Sequence, residues 1–458
     1  MITENQNIFF TAPWDPLVVR RGDALGLRAL ADQFADAIAP HFSNRIIDGR
    51  WITILAWCLA RSHGVFHASG GRSIETRAQQ NERYAWLRPL ELMWVARTIN
   101  LAGDDWRQRS LAGQRSVKPW YEKFEQRSAR FGMSVDQYSA YRQTGIYGGY
   151  RLAFRKWPRL TVGGNGWTPG LITNSLAQWL DARLGGARPD WPLHIGDGDD
   201  EGLSSRSIKK NRGDEDRWWL KAWPAFDQGA RNAEFATLPR LHSDYSKLPE
   251  ADILNPLIYG SYPYGSHRLA VVRQVEKSSA RSHLEVCEFL SRAFADNRII
   301  SVLPVFSRLA DAGMAALDLA AQVLGSKPSV ALSTIAEDGH AKVVCEELYA
   351  AARLWNSRVG IEIPHAETAG SFASSFSNAR PQDCFSALLK YHEINGGGLR
   401  WFVLRNGNVE ARTPQRSGSS RYRFRLWSLC RLAAQCGILS TMPKALRLDA
   451  ENSGETDE

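Results

Sequence analysis

Four cationic side chains lie close together between residues 151 and 159 of this 458-residue chain. Arg151 and Arg155 are one helical turn apart, and Lys156 and Arg159 extend the same stretch. Cationic side chains on one helix face can contact the phosphates and base edges of a nucleic acid. The same spacing also suits a basic helix face that contacts only water, so both interpretations stay open at this point.

A second cationic set lies near the other end of the chain. Arg421, Arg423 and Arg425 fall in segment 421–436, which we predict to be a helix that ends at Gly437. With Arg431, they would make one side of that helix strongly cationic. Both sets are therefore our candidate nucleic-acid-binding residues.

Two residue patterns resemble metal sites but lack a required ligand. Segment 197–202 matches the start of an EF-hand calcium loop, yet Ile208 occupies the twelfth position, where a bidentate glutamate belongs. His63 and His67 are four residues apart, but no glutamate follows the first of them, as a zinc metalloprotease would need. We predict neither a metal site nor a cofactor.

Catalytic motifs fail in a similar way, because none has the full spacing. The segment 337–342 contains acids, a histidine and Lys342, but its spacing differs from the Asp…Glu-x-Lys pattern of restriction-type nucleases. We predict instead a hairpin turn at Asp338–Gly339, between strands at 330–332 and 342–344. A divergent metal-dependent nuclease or phosphodiesterase, whose carboxylates converge only in the fold, is the alternative.

Composition favours a polyanionic partner. The net charge is +9, and the final ten residues contain five acids and no base, so the rest of the chain carries +14. Arginine accounts for 45 of the 57 basic residues and is spread along the whole chain, which a GC-rich genome would also produce. The N-terminus has no signal-type apolar segment and no apolar run approaches ~18 residues, so we expect a cytoplasmic protein without a membrane partner.

The six cysteines lack the spacing of a zinc site. We predict free, buried thiols at Cys58, Cys287, Cys345, Cys384, Cys430 and Cys436.

The element that must position the first cationic set has the order of half a winged helix. Apolar residues recur at helical spacing from Ile146 to Trp157, and Pro158 blocks continuation. A strand at 160–162, a glycine-rich turn at 163–166 and a helix starting at Thr168–Pro169 complete the pattern.

The remaining pattern predicts a mainly α fold with small β-hairpins, in the α+β class, with two lobes that contain winged-helix-like elements. A type I′ hairpin is predicted at Asn406–Gly407. Further helices are predicted over 24–38, 50–62, 82–100, 276–296, 304–324, 346–355, 385–393 and 421–436. We expect a helical N-lobe over 1–184, an irregular tryptophan-rich linker over 185–268, a helical C-lobe over 269–448 and an acidic tail over 449–458.

Several short motifs in roughly the first 180 residues, including Trp14–Pro16, Arg50–Trp51 and 145–148, resemble a group of uncharacterised bacterial proteins. That group is associated with mobile-element and phage-defence gene neighbourhoods, and the resemblance implies a subunit of a multi-protein system. The sequence thus predicts a non-catalytic subunit that binds DNA or RNA, or that serves as an adaptor for other protein subunits. A protein-interaction scaffold without any ligand is a further alternative.

Overall fold

The computed structural model describes residues 23–43, 45–68, 145–184, 245–261, 264–358, 363–396, 400–412 and 422–447, with seven helical residues between 87 and 99. Several features singled out from the sequence lie outside these residues: Trp14–Pro16, residues 185–244 of the predicted tryptophan-rich linker with the acidic segment 197–202, Arg421 and the tail 449–458.

The chain divides into two compact units. Unit 1 takes its described residues from 23–37 and 282–424, and unit 2 takes its own from 38–281 and 425–447. The chain therefore leaves unit 1 after its first segment, returns to it at residue 282, and re-enters unit 2 at residue 425. These boundaries differ from the linear N-lobe and C-lobe expected from composition.

Helices dominate both units, and a small antiparallel sheet completes the α+β fold. In unit 2 the named elements are α2 (Gly49–Ala68), α3 (Ile146–Lys156), α4 (Leu171–Arg183), α5 (Ala251–Tyr259), α6 (Gly265–Lys277) and α14 (Leu426–Gln435). Unit 1 begins with α1 (Arg28–Ile38), whose last residue belongs to unit 2, and continues with α7 (His283–Ala293), α8 (Arg298–Ser301), α9 (Leu303–Leu324), β1 (Ser329–Ala331), α10 (Leu332–Ala336), α11 (Ala341–Ser357), α12 (Ala366–Ser374), α13 (Pro381–Asn395), β2 (Phe402–Arg405) and β3 (Asn408–Ala411).

Most predicted helices are present, but two differ from the prediction. The segment 276–296 is interrupted, because α6 ends at Lys277 and Ser282 caps a new helix by accepting a hydrogen bond from the backbone N–H of Glu285. The segment 421–436 becomes helical only at Leu426, because Phe424 and Arg425 have φ angles of 50° and 62°, which an α-helix does not allow.

The Asn406–Gly407 hairpin is confirmed, with both turn residues at positive φ, as a type I′ turn requires. The second predicted hairpin, at Asp338–Gly339, is wrong. Strand β1 pairs with β3, so that Val330 lies opposite Val409, and residues 342–344 belong to α11. Asp338 instead starts the turn before α11, where its Oδ1 accepts the His340 N–H.

Unit 2 contains a buried network of charged side chains around the start of α2. Arg431 of α14 donates to Asp48 over 3.0 Å, and both side chains are completely buried. Asp48 also accepts the Arg50 N–H, which is the geometry of a helix N-cap. The Asp48 N–H donates in turn to the Tyr150 hydroxyl of α3, while Arg50 forms a bidentate pair with Glu250. The network therefore joins α2, α3, α14 and the residue before α5.

Replacing Arg431 with methionine should destabilise unit 2 by about 3–5 kcal/mol, because Asp48 would remain buried without its cation. Urea denaturation followed by tryptophan fluorescence measures this loss. The exposed pair Lys247–Asp252 supplies the control: Lys247→Met should cost no more than about 1 kcal/mol. Equal losses in the two variants would show that the buried pair contributes no more than the exposed one.

Unit 1 is organised around a buried histidine in α13. The His392 ring donates from Nδ1 to the Ala24 carbonyl over 2.7 Å and accepts the Trp401 N–H at Nε2 over 2.9 Å. It thereby ties the segment before α1 and the segment before β2 to the same helix. Burial lowers the pKa of His392 below its ordinary value, so the neutral ring that makes both hydrogen bonds is favoured.

Unit 1 should lose stability as the pH falls below about 6.5, the ordinary pKa of an unfolded histidine. The unfolded chain then takes up a proton that folded His392, with its lowered pKa, resists. Denaturant titrations of the wild type and of His392→Gln between pH 8 and pH 5 test this prediction. The variant should be less stable at pH 8 and should lose less stability on acidification; parallel pH profiles would contradict it.

Candidate nucleic-acid interface

Helix α3 buries its apolar stripe, leaves Arg151 and Arg155 half-buried and exposes Lys156. Every position of the predicted stripe, Ile146, Tyr150, Ala153 and Trp157, is at most 3% exposed. The stripe follows from apolar residues at helical spacing, and Trp157, whose ring N–H donates to the His41 carbonyl, ends the helix as predicted. The basic residues of α3 therefore lie away from the buried stripe.

The start of α3 is held by a buried acid that no sequence motif indicated. The Tyr147 N–H donates to Oε1 of Glu91 over 2.8 Å, and Glu91 is fully buried. Burial raises the pKa of Glu91 to about 8, although this hydrogen bond opposes the shift. Burial thus favours the protonated form of Glu91, whose hydrogen bond to Tyr147 holds the first turn of the helix that carries the candidate cations.

The connection between α3 and α4 is a tight turn, with less β-structure than a winged helix has. Thr161 and Pro169 form an isolated bridge, and Val162–Gly164 is a short 3₁₀ turn, so the predicted strand over 160–162 is absent. The predicted N-cap at Thr168 is also wrong, because α4 starts at Leu171 after Gly170. Pro169 is engaged in the bridge and cannot serve as the first helical residue.

Side-chain hydrogen bonds fix this turn. The Asn165 Oδ1 accepts the backbone N–H groups of Trp167 and Thr168 over 2.8 and 2.9 Å. The Thr161 hydroxyl donates to the Phe154 carbonyl of α3 and accepts the Gly166 N–H. The turn is therefore attached to the end of α3, while residues 162–165 are exposed at its tip.

Two neighbouring glycines in the tip have different surroundings. Gly163 and Gly164 have φ angles of 59° and 68°, in the left-handed region that favours glycine. A Cβ added at Gly163 would meet no atom within 4 Å, whereas one at Gly164 would lie 2.7 Å from the Arg155 carbonyl oxygen. Of these two glycines, only Gly164 is packed closely against the backbone of α3.

Gly164→Ala should therefore disturb the turn more than Gly163→Ala. Both substitutions force alanine into a left-handed conformation at a cost of about 1 kcal/mol, but only the first also produces a backbone clash. Hydrogen exchange of the amides of residues 160–170 measures the effect, and faster exchange is expected for Gly164→Ala. Equal exchange in the two variants would contradict the close packing of the turn on α3.

The cations around this turn have few acidic neighbours. Residues 145–184 contain five basic residues and one acid, Asp181, which accepts hydrogen bonds from Trp57 and Arg61 of α2. Within the described part of the chain, no ion pair involves Arg155, Lys156 or Arg159.

Those three side chains differ in exposure. Lys156 and Arg159 are exposed, whereas Arg155 is half-buried, with its side chain packed close to Gly166. Arg151 is also half-buried and engaged in contacts of its own. We define the α3–α4 turn surface as Arg155, Lys156, Arg159 and the exposed tip 162–165.

The second predicted cationic set does not lie on one helix face. Arg423 precedes α14 and is half-buried, and Arg425 is its left-handed N-cap residue, which donates to the Ala39 carbonyl. Arg421 lies outside the described residues. Arg431 was expected on a cationic face but is completely buried against Asp48, because a long-range partner draws it into the core of unit 2. A role for Arg421, Arg423 and Arg425 in binding remains a prediction.

The other sequence candidates do not form a metal-binding group in the described part of the chain. Nowhere in it do three or more His, Cys, Asp or Glu side chains group closely enough to hold a metal ion. Helix α2 continues to Ala68, beyond the predicted end at residue 62, and therefore includes both His63 and His67. All six cysteines are free and buried, as predicted.

No family model matches the chain, and neither a curated protein nor a solved structure matches it significantly. Among the described helices, none has the length and apolar character needed to cross a lipid bilayer. The candidate interface therefore stands on its own geometry.

Proposed function

We propose that this protein is a non-catalytic nucleic-acid-binding subunit and that it contacts its ligand through the α3–α4 turn surface. The observation that carries the proposal is the set of cations around the turn, for which the described residues provide no acidic partner. Lys156 at the end of α3 and Arg159 in the following connection are exposed, and the Arg155 side chain packs close to Gly166. Such cations can displace the counterions condensed on a nucleic-acid backbone.

The exposure of the turn supports contact with a long polyanion. The tip residues 162–165 are all exposed, so a nucleic-acid backbone can approach them without rearrangement of the chain. The turn is also preorganised, because Asn165 and Thr161 already satisfy its backbone donors. Binding would therefore require little ordering of the backbone.

The order of helix, turn and helix is that of a winged-helix element, and we propose that the turn acts as a reduced wing. The bridge between Thr161 and Pro169 is the extent of its β-structure. Arg151 is half-buried and has contacts of its own, whereas Lys156 and Arg159 are exposed, so the α3–α4 turn surface is better suited to contact than the middle of α3. The proposed contact therefore lies at the C-terminal end of α3 and in the following turn.

The alternative without a ligand is that the same cations contact only water. The resemblance to proteins from phage-defence neighbourhoods supports a place for this subunit among protein partners, including an adaptor role. The two interpretations differ in one measurable property. Only the first predicts that binding of DNA or RNA depends on these residues rather than on the positive charge of the whole chain.

The double variant Lys156→Glu/Arg159→Glu should weaken binding to DNA or RNA at low salt. Each lost phosphate contact lowers the slope of log K against log salt concentration by about 1, so the slope should fall by about 2. Fluorescence anisotropy with labelled duplex and single strands, at several salt concentrations, measures both quantities.

Lys277→Glu/Lys444→Glu is the matched control, because it makes the same change in net charge at exposed positions of the same unit. It should leave the slope nearly unchanged. An equal loss in both double variants would assign binding to overall charge. If the wild-type protein binds neither form of nucleic acid at low salt, or cleaves it in the presence of Mg²⁺ or Mn²⁺, the proposed function is wrong.

A further inference from the structure

The α3–α4 turn exposes aliphatic side chains in addition to its cations. Residues 160–180 contain no charged side chain, whereas Arg155, Lys156 and Arg159 come just before them. Two aliphatic side chains are unusually exposed: Val162 at 57% and Leu171 at 64%. A surface evolved only for phosphate contact would need no exposed aliphatic side chains at this point.

The hydrogen bonds of the turn place these apolar groups next to the cations. The Gly170 N–H donates to the Leu160 carbonyl, and the Ile172 N–H donates to the Arg159 carbonyl, so Leu171 lies opposite Arg159. Val162 is one residue beyond the Thr161–Pro169 bridge, where its N–H donates to the Thr168 carbonyl. Val162 therefore lies at the exposed tip, and Leu171 lies at the base of the turn opposite Arg159.

From this arrangement, which rests on the proposed function, we infer that the turn enters the minor groove of duplex DNA as an apolar wedge. Val162 and Leu171 pack against sugars and a partly unstacked base step, while Lys156 and Arg159 contact the phosphates that border the groove. Apolar side chains inserted in this way kink the duplex. Chain segments joined by a bridge lie about 5 Å apart, and a kink opens the roughly 6 Å wide minor groove to admit them.

Within residues 145–184, the aromatic side chains are poorly placed to stack the bases of a single-stranded ligand. Proteins that bind single strands stack bases on exposed aromatic rings. Here Trp157 and Trp167 are only 3% and 2% exposed, and Trp167 is stacked on the ring of Tyr147 with 4.4 Å between ring centroids. The Trp179 ring in α4 is half-exposed but is covered by the Arg183 guanidinium at 3.9 Å.

An anionic lipid surface would also attract an apolar tip with cations. Stable membrane association, however, needs a larger buried apolar area than two aliphatic side chains provide. Duplex DNA needs only a small wedge, because the phosphates supply most of the affinity. We therefore commit to duplex DNA and treat lipid binding as an outcome of the test.

The decisive variant is Val162→Asn/Leu171→Asn, which keeps every cation and replaces exposed side chains. Its partner is Val162→Leu/Leu171→Met, which keeps the tip apolar. Circular dichroism and thermal unfolding first establish that both variants fold like the wild type. Binding and bending are then measured with duplexes that carry dyes at both ends, containing either a flexible TA step or a stiff A-tract.

For the wild type and the apolar variant, we expect shortened end-to-end distances and a preference of about tenfold for the TA duplex, because this step unstacks most easily. The asparagine variant should retain the salt slope but lose both the bend and the preference. Unchanged bending in that variant, stronger binding to single strands, or Val162-dependent binding to anionic vesicles without DNA binding would overturn the wedge.

The two proposals fail in different ways. If DNA binding depends on Lys156 and Arg159 but is insensitive to the asparagine substitutions, the wedge is wrong and the proposed function stands. If the wild-type protein does not bind DNA or RNA, both are wrong.

Discussion

The buried Asp48–Arg431 ion pair is the interaction on which unit 2 depends most directly. Asp48 caps α2, anchors the hydroxyl of Tyr150 in α3 and neutralises a guanidinium from α14. Two ions taken out of water are tolerated only when their hydrogen bonds are satisfied, and here Arg431 also donates to the Ile47 carbonyl over 2.9 Å. The position of α3, and with it the α3–α4 turn surface, follows from this arrangement.

From α3 outward, each step has a local physical cause. Glu91 accepts a hydrogen bond from the first turn of the helix, and Trp157 ends the helix with a hydrogen bond to His41. Thr161 then connects the turn to the last residues of α3, and Thr173 of α4 donates to the Leu160 carbonyl. The cations are consequently held on a support that is buried on one side and hydrogen-bonded along its length.

Local patterns predicted much of this architecture, because their causes lie within a few residues. The Asn406–Gly407 turn needs two residues that tolerate positive φ, and the stripe from Ile146 to Trp157 needs only helical periodicity. Strand β1 was assigned to the wrong hairpin, since its partner β3 lies about eighty residues away and the nearby Asp338–Gly339 offered a local alternative.

The candidate site was predictable only in part, for the same reason. Lys156 and Arg159 are exposed, in keeping with their charge, but Arg431 has an equally polar side chain and is buried. Nothing near residue 431 in the sequence indicates that Asp48 is its partner. The exposure of Val162 and Leu171 was also not predicted, because aliphatic residues are more often buried than exposed.

The return of the chain to unit 2 at α14 has a consequence for biosynthesis. Asp48 and Arg431 are separated by 383 positions, so at about 5–20 residues per second the ribosome needs roughly 20–80 s to deliver the second after the first. Throughout that interval the nascent start of α2 carries a carboxylate that lacks its counterion, while the whole of segment 282–424 emerges. The described part of unit 1 can thus be translated before unit 2 is complete. The start of α2 cannot form its buried ion pair until α14, one of the last helices, has been translated.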